Sequence, residues 1–461
     1  MNIRKCYIWL TLLVSAGCFG TAITLLYLRS VEIFNNAASV LAIIFLCFTL
    51  YIIVRKFTCN CCHKRPVEEN EPFSIILERM DRALPTTHQR DQNEESIKQQ
   101  LNPIIQGLSD VMGKPLTPLL TGSAGERFNI PLSRMPFLFF LKKNQRQDAL
   151  FTDNDIMIYS ENETCSVDQG GDFRIDSNSE GIDQGFAKLY SYETNSIVTA
   201  KAVKQRIYDA IMEMDAAKLP RDDDNPFYDK LDDLKRLINI LSNFEKIVIS
   251  QQGPAINIEM ICNRRVQFIL VDLTFSIRCL QWPETSDWLT RERLWPNNDE
   301  INRISSYGFH LVPKSQPNDK QGHTWRFSFS LAEVEISKMI PPIARQCFVT
   351  LKVIRKDFLK TKCGKLKSYH LKTIFMWVLE KTQPHEWNSE NAEVVFHSLL
   401  DAVIKAVSER YCPHYWLNDI NLFEDFTLRD AHKLHMFLNR VKRNPTHYIN
   451  IPASLGSDVG R

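Results

Sequence analysis

Charge imbalance is the first thing this 461-residue chain lacks, since 56 Lys and Arg against 54 Asp and Glu leave a formal charge of +2. That excludes bulk basicity as a route to nucleic acid or to an anionic membrane surface, so any such patch must be local. Internal repeats and low-complexity segments are also missing, which excludes a repeat array. The twelve cysteines form no evenly spaced framework. A disulfide scaffold is therefore excluded, and the body is expected in a reducing compartment. Charge is absent altogether from Cys6–Leu28, bounded by Lys5 and Arg29, and Asn36–Val54 repeats the pattern between Glu32 and Arg55.

At about 1.5 Å rise per helical residue, both uncharged runs are long enough to cross a bilayer core of roughly 30 Å. A cleaved signal peptide is the alternative for the first, but the run exceeds a usual h-region and a second follows at once. Arg4 and Lys5 precede the pair, only Arg29 lies between them, and Arg55, Lys56, Lys64 and Arg65 follow. The positive-inside rule then puts both termini in the cytosol. The expectation is an integral membrane protein with a two-span anchor over residues 1–62 and a cytosolic body. No organelle address is legible, so the membrane stays open. Cys59, Cys61 and Cys62 just past the second run suit palmitoylation, half of a metal site with His63, or plain thiols.

With 44% hydrophobic residues, what remains has enough apolar material for a real core. Residues 63–95 are polar and proline-bearing, a linker with a short helix around Ile75–Met80. From Glu95 the spacing of Ile97, Leu101, Ile104, Ile105 and Leu108 predicts a helix, interrupted by Pro103 and closed by Gly113. Phe137–Leu141 reads as a strand and Glu161–Glu180 as a loop, with strand returning at Gly185–Ser191. Amphipathic helices are expected at Thr199–Met214 and Tyr228–Phe244. Strands follow at Ile247–Ser250, Ala255–Ile261 and Val266–Ile277, then helices at Arg345–Leu359, Glu393–Tyr411 and Thr427–Val441. The body is thus a mixed lobe over 96–340 and a helical lobe over 341–450, with a tail at 451–461.

Chemistry concentrates between Thr121 and Met157. A Gly122-Ser123 turn brings backbone N–H groups and a hydroxyl close enough to cradle a phosphate. Asp153 and Asp155, two apart on a strand, share one face and can share divalent ions, although an Asp-x-Asp also serves as a turn or helix cap. Asp272 interrupts the apolar run Phe-Ile-Leu-Val-Asp-Leu-Thr-Phe. Buried without a partner it costs several kcal/mol, so it reaches a metal, a base or a cleft, or sits at a strand end in water.

The order of helix, Gly-Ser turn, Asp-x-Asp strand and later single Asp is that of the polymerase beta-like nucleotidyltransferase fold. Together with Val271-Asp272-Leu273-Thr274, Trp325-Arg326-Phe327-Ser328-Phe329-Ser330 and Ser368-Tyr369-His370-Leu371-Lys372-Thr373, it resembles the male-abnormal (Mab-twenty-one) domain family. That family includes cyclic GMP-AMP synthase, and the resemblance runs from about Ile97 to Arg443. It implies an α+β fold, a mixed-sheet nucleotidyltransferase lobe followed by a helical lobe, here behind the N-terminal transmembrane hairpin. It also implies that Asp153, Asp155 and Asp272 hold Mg²⁺ or Mn²⁺ and that Gly122 and Ser123 contact the phosphates of a nucleoside triphosphate. Arg326 would pair with a phosphate or a guanine edge, Tyr369 would stack on a base, and Lys352 or Arg355 would neutralise phosphate charge. For the last three the ordinary alternatives are packing and a solvated basic face.

Two departures accompany the resemblance: Arg134–Leu150 reads as an insertion, and Pro341 runs to Cys347 without a zinc-binding cysteine-histidine cluster. The expected partners are nucleoside triphosphates, the lipid bilayer and double-stranded nucleic acid. One reading is a nucleotidyltransferase making a cyclic dinucleotide or oligonucleotide, switched by duplex RNA. The other is an inert nucleotide-binding or scaffold protein that recruits partners to a membrane. A channel is disfavoured, because two spans without an intramembrane charge offer no pathway.

Overall fold

The computed structural model describes residues 72–82, 87–130, 153–166, 171–218, 246–262, 267–360 and 363–449. The two uncharged runs, Cys59, Cys61, Cys62, the Phe137–Leu141 strand, the Arg134–Leu150 insertion, the Tyr228–Phe244 helix and the 451–461 tail lie outside them.

Helices α1 (Phe73–Arg82) and α2 (Thr87–Met112) lead into strand β1 (Thr117–Thr121) and the short helix α3 (Gly122–Gly125). Strands β2 (Asp153–Tyr159), β3 (Thr164–Ser166), β4 (Phe173–Asp176) and β5 (Phe186–Ser191) precede helix α4 (Ala200–Lys218). Then come β6 (Lys246–Gln252), β7 (Ala255–Cys262), β8 (Gln267–Phe275) and β9 (Ile277–Cys279). Helix α5 (Asn298–Ser305), β10 (Phe309–Val312), β11 (Thr324–Ser328) and α6 (Ser330–Ser337) complete the sheet-bearing part. The helical part is α7 (Pro342–Ile354), continued by a π turn over Arg355–Leu359, with α8 (Ser368–Lys381), α9 (Ala392–Glu409) and α10 (Leu428–Arg443).

The first sheet has the order β1-β2-β8-β7-β6. Only β2 and β8 run parallel in it; the other pairs are antiparallel. Strand alternation sorts its residues. Ile156, Ile158, Val271, Leu273, Phe275, Ile256 and Ile258 are buried, while Asp155, Asn257 and Asp272 take the opposite, half-buried face. An aspartate in the apolar run of β8 is thereby spared the cost of the core. Helices α2 and α4 pack on each other and on this sheet. α2 begins at Thr87, eight residues ahead of the expected start, with ion-pair and amide contacts four residues apart at Glu94–Lys98 and Glu95–Gln99. It continues through Pro103, because Leu101, Ile105 and Leu108 stay buried on either side.

The second sheet is a closed barrel in the order β10-β11-β5-β4-β3-β9, filled by Cys165, Ile175, Ala187, Leu189, Ile277, Leu311 and Trp325. Two of its strands, β3 and β4, lie within Glu161–Glu180, which the sequence presents as a loop. At three and four residues they are too short to show a period of two.

In the helical part, Phe348 of α7 stacks on Phe375 of α8 at 4.6 Å, and Phe128, three residues past α3, meets Phe348 edge-on at 4.7 Å. Such pairs add about 0.5–1.5 kcal/mol each beyond area burial. They dock the Gly-Ser turn on the helices.

The expected transmembrane hairpin, and with it the integral-membrane placement, is corrected: among the described residues no helix is long and apolar enough to cross a bilayer. α2, with 26 residues, has the length but carries Asp91, Glu94, Glu95, Lys98 and Asp110. The architecture observed is mixed α/β, with two sheets followed by helices.

Candidate functional site

Strand β1 delivers the turn to the first sheet. Thr121 pairs with Asp155 in register, and its hydroxyl donates to the Asp155 carbonyl at 3.1 Å. The chain then tightens, with Glu126 N–H on the Gly122 carbonyl at 2.9 Å and Phe128 N–H on the Ser123 carbonyl at 2.8 Å. Gly122 has φ +58°, and a Cβ there would collide with Asp155 Oδ2. Glycine alone allows both the left-handed backbone and the close approach of that carboxylate.

Asp155 and Asp272 face each other across the parallel β2–β8 ladder. Asn257 on β7, in register with Asp272, donates from Nδ2 to its Oδ1 at 2.7 Å. Asp153 is placed by its backbone alone, two residues before Asp155 and paired with Leu270. Among the described residues, no group of three or more His, Cys, Asp and Glu side chains is arranged to hold a metal.

Three cations from the helical part grip the turn. Lys352 of α7 donates to Ser123 Oγ at 2.9 Å and to the Phe128 carbonyl at 2.8 Å. Arg345 donates to the Glu126 carbonyl at 2.8 Å and also to the Ser337 carbonyl. Lys372 of α8 bridges Glu126 Oε1 at 2.8 Å and Glu333 Oε2 of α6 at 2.9 Å. The solvated basic face considered for Lys352 does not hold, because Lys352 is 8% exposed; the Lys372 side chain is also largely buried, at 14%. A duplex could therefore not be met through Lys352.

Burial pulls the Lys352 ammonium down to about 8, helped by Lys372 and Arg355 and opposed by Glu126 and Asp155. Burial likewise pushes the Glu126 carboxyl up to about 7 against the pull of Lys372. Glu333 moves the other way. Burial raises it, but Lys372, His414 and the Trp416 N–H outweigh that, and it sits below the usual carboxylate range. Lys372 itself is raised, because its two carboxylates outweigh its burial.

The signs give a pH prediction. Between about 4.5 and 7 the folded state holds a proton on Glu126 that the unfolded state does not, so this contribution is full at low pH and falls as pH rises through that window. Lys352 acts between about 8 and 10.5, where the unfolded state binds the extra proton and stability rises with pH. In denaturant titrations, Glu126→Gln should remove a decline present in the wild type from pH 4.5 to 7. A wild-type-minus-variant difference that is flat over that window would count against the buried charge.

Arg326 on β11 and Tyr369 on α8 gather around Glu333. Burial lowers the Arg326 guanidinium, against the pull of Tyr369 and Glu333. Tyr369 Oη lies 2.8 Å from His414 Nε2. His414 Nδ1 accepts the Trp416 and Leu417 N–H groups at 3.2 Å, so the neutral ring carries its proton on Nε2 and donates to Tyr369. Burial keeps that ring neutral, with a value of about 4, and lifts the Tyr369 phenol well above its usual range. Lys372 Nζ stands 5.0 Å from the Tyr369 ring centroid.

Gly122, Ser123, Asp155, Asp272 and Lys352 thus form one group, and Arg326 and Tyr369 a second. The Glu126–Lys372–Glu333 bridge joins them. Arg355 belongs to neither, since its Nε donates to the Leu366 carbonyl at 2.7 Å and fastens the loop before α8. Glu126, Glu333, His414 and Asn257 escape sequence reasoning. A signal existed for Glu333 in Leu331-Ala332-Glu333-Val334 and for Lys372 in Leu371-Lys372-Thr373-Ile374-Phe375. A charge in an apolar stretch needs a partner, as at Asp272.

Comparison with known proteins finds the profile of the Mab-21 protein nucleotidyltransferase domain over residues 155–336 and that of the Mab-21 protein HhH/H2TH-like domain over 343–441. Together they cover more than half of the chain. Protein mab-21-like 3 of Danio rerio is 25% identical over 174 residues, 37% of this chain and 43% of that protein. The match thus spans less than half of the relative's length. Asp155 and Asp272 fall inside the first span, while Gly122, Ser123 and Asp153 precede it.

Proposed function

Because the chain belongs to the Mab-21 family of nucleotidyltransferase-fold proteins, we propose that it binds a nucleoside triphosphate at the Gly122–Ser123 turn and transfers its nucleotidyl group to an acceptor hydroxyl. The observation that carries this reading is the in-register pairing of Asp155 with Asp272 while Asp155 lies against Gly122. At an effective dielectric near 20, two carboxylates about 4 Å apart repel by about 4 kcal/mol, less where solvent screens them. A cation bound between the two would offset that repulsion.

The donor set fits a divalent cation of the Mg²⁺ or Mn²⁺ kind. Asp155 and Asp272 offer hard carboxylate oxygens, and Asp153 lies two residues before Asp155 on the same strand. Such an ion, when bound, would polarise the phosphates and offset charge on the attacking and leaving oxygens. The chain's own groups do the rest. Ser123 Oγ accepts from Lys352 and keeps its proton to donate to a phosphate oxygen. Arg326 offers a planar donor fork to a phosphate or a guanine edge, and Tyr369 offers a ring face to a base.

In the transfer, the acceptor oxygen bonds to the α-phosphorus as the bond to pyrophosphate breaks, and the acceptor's proton is lost to water. If the acceptor is a second nucleotide, one transfer gives a linear dinucleotide; further transfers lengthen it to a short oligonucleotide, and a second, intramolecular transfer that releases a second pyrophosphate closes a cyclic dinucleotide. The second reading is an inert nucleotide-binding or scaffold protein, in which the cleft holds a nucleotide without turning it over. Incubating the full-length chain with the four labelled triphosphates, Mg²⁺ or Mn²⁺, and duplex RNA or DNA separates the two. We expect pyrophosphate release and a nucleotide product that Asp155→Asn removes. Triphosphate binding without any product would select the inert reading.

A further inference from the structure

We propose that Lys372 is a positioning residue that locks the Gly-Ser turn to the Arg326–Tyr369 side of the cleft by bridging Glu126 and Glu333; this rests on the nucleotide reading above. Glu126, the residue that ends the turn, is 2% exposed and has its carboxylate on Lys372 at 2.8 Å. Glu333, five residues beyond Ser328 at the end of β11, meets the same ammonium at 2.9 Å and also takes the Trp416 indole N–H at 3.3 Å. One cation therefore ties the phosphate cradle to α6, the helix that follows the strand carrying Arg326.

The other two grips differ in kind. Lys352 and Arg345 hold carbonyls and the Ser123 hydroxyl, whereas Lys372 holds the turn's only carboxylate and shares it with α6. Lys372 lies three residues after Tyr369 on α8, so both project from one helix face. A shift of that helix would move the base-facing ring and the phosphate turn together. Beside the bridge is a cavity of about 10 Å³, bordered by Glu126, Phe128, Glu333, Lys372, Tyr415 and Trp416. It is about the size of one water, which suits the third proton of the ammonium. Two of the three ammonium donors serve the carboxylates, which leaves one for this cavity.

The test uses the full-length chain. Lys372→Met alone strands two buried carboxylates and is expected to fold poorly, so the informative variant is the neutral triple Glu126→Gln/Glu333→Gln/Lys372→Met. Hydrogen exchange is followed at residues 122–128 and, as an internal reference, at β7 and β8. We expect the turn amides of the triple variant to exchange at least about tenfold faster, with the two strands unchanged. Lys372→Arg, which restores the charge, should recover most of the protection. Wild-type exchange at the turn in the triple variant, or equal acceleration of turn and strands, would overturn the positioning role.

Binding of ATP and of GTP, each with Mg²⁺, is measured on the same samples and should weaken at least about tenfold in the triple variant, or 1.36 kcal/mol. A wild type that binds neither nucleotide defeats the nucleotide reading itself. Wild-type affinity kept in full by the triple variant defeats the positioning role alone.

Discussion

Full-length protein carrying Asp272→Asn will melt higher than the wild type in cation-free buffer, and the same change will remove its cation-dependent triphosphate binding. The two effects share one cause. Asp155 and Asp272 face each other across a parallel ladder, and neutralising one of them relieves like-charge repulsion. The face is half-buried, so screening leaves about 1 kcal/mol of that relief rather than the unscreened figure. In a chain of this size that is a midpoint shift on the order of 2 °C. The asparagine carbonyl can still accept the Asn257 N–H that now reaches Asp272 Oδ1, so no buried donor is stranded. Losing one charged ligand of a cation that itself holds a triphosphate should cost about 2–5 kcal/mol of binding, or thirtyfold and upward. A variant that melts lower and still binds would make Asp272 a structural residue.

The second large effect is expected at Gly122, with the opposite sign on stability. A Cβ added there meets Asp155 Oδ2, and the backbone sits at φ +58°. The left-handed conformation alone costs an L-residue about 1–2 kcal/mol. Relieving the collision requires the carboxylate to swing away from the turn. Gly122→Ala should therefore lower the unfolding midpoint by more than the backbone term and weaken triphosphate binding at least about tenfold, since tenfold is only about 1.4 kcal/mol. The contrast with Asp272→Asn is diagnostic, because both lose binding while stability moves in opposite directions. A Gly122→Ala protein with wild-type midpoint and affinity would show that the close approach does not seat Asp155.

What was legible in the sequence follows element length. β8, α9 and α10 are long enough for their apolar period to stand out, and the strand containing Asp272 and the cap at Thr427 fall where that period puts them. β3 and β4 leave no period in three or four residues, so a barrel wall passes for a loop. The site divides along the same line. Gly122, Asp155 and Asp272 are visible because a turn signal and a carboxylate in an apolar strand are local features. Lys352 and Lys372 look like ordinary helix lysines, since their burial depends on Glu126, Ser123 and Phe128, more than 200 residues away in the chain. The membrane expectation rested on Cys6–Leu28 and Asn36–Val54, and no helix among the described residues supplies a span.

The Asp155–Asp272 pair beside the Gly-Ser turn is proposed as a cation-dependent triphosphate site. Its most direct test is calorimetric titration of the full-length chain and of Asp155→Asn/Asp272→Asn with each triphosphate, first in EDTA and then with Mg²⁺ or Mn²⁺. Saturable heat is expected only for the wild type and only with the cation. Equal binding by both proteins, or binding by the wild type that EDTA leaves unchanged, would contradict it.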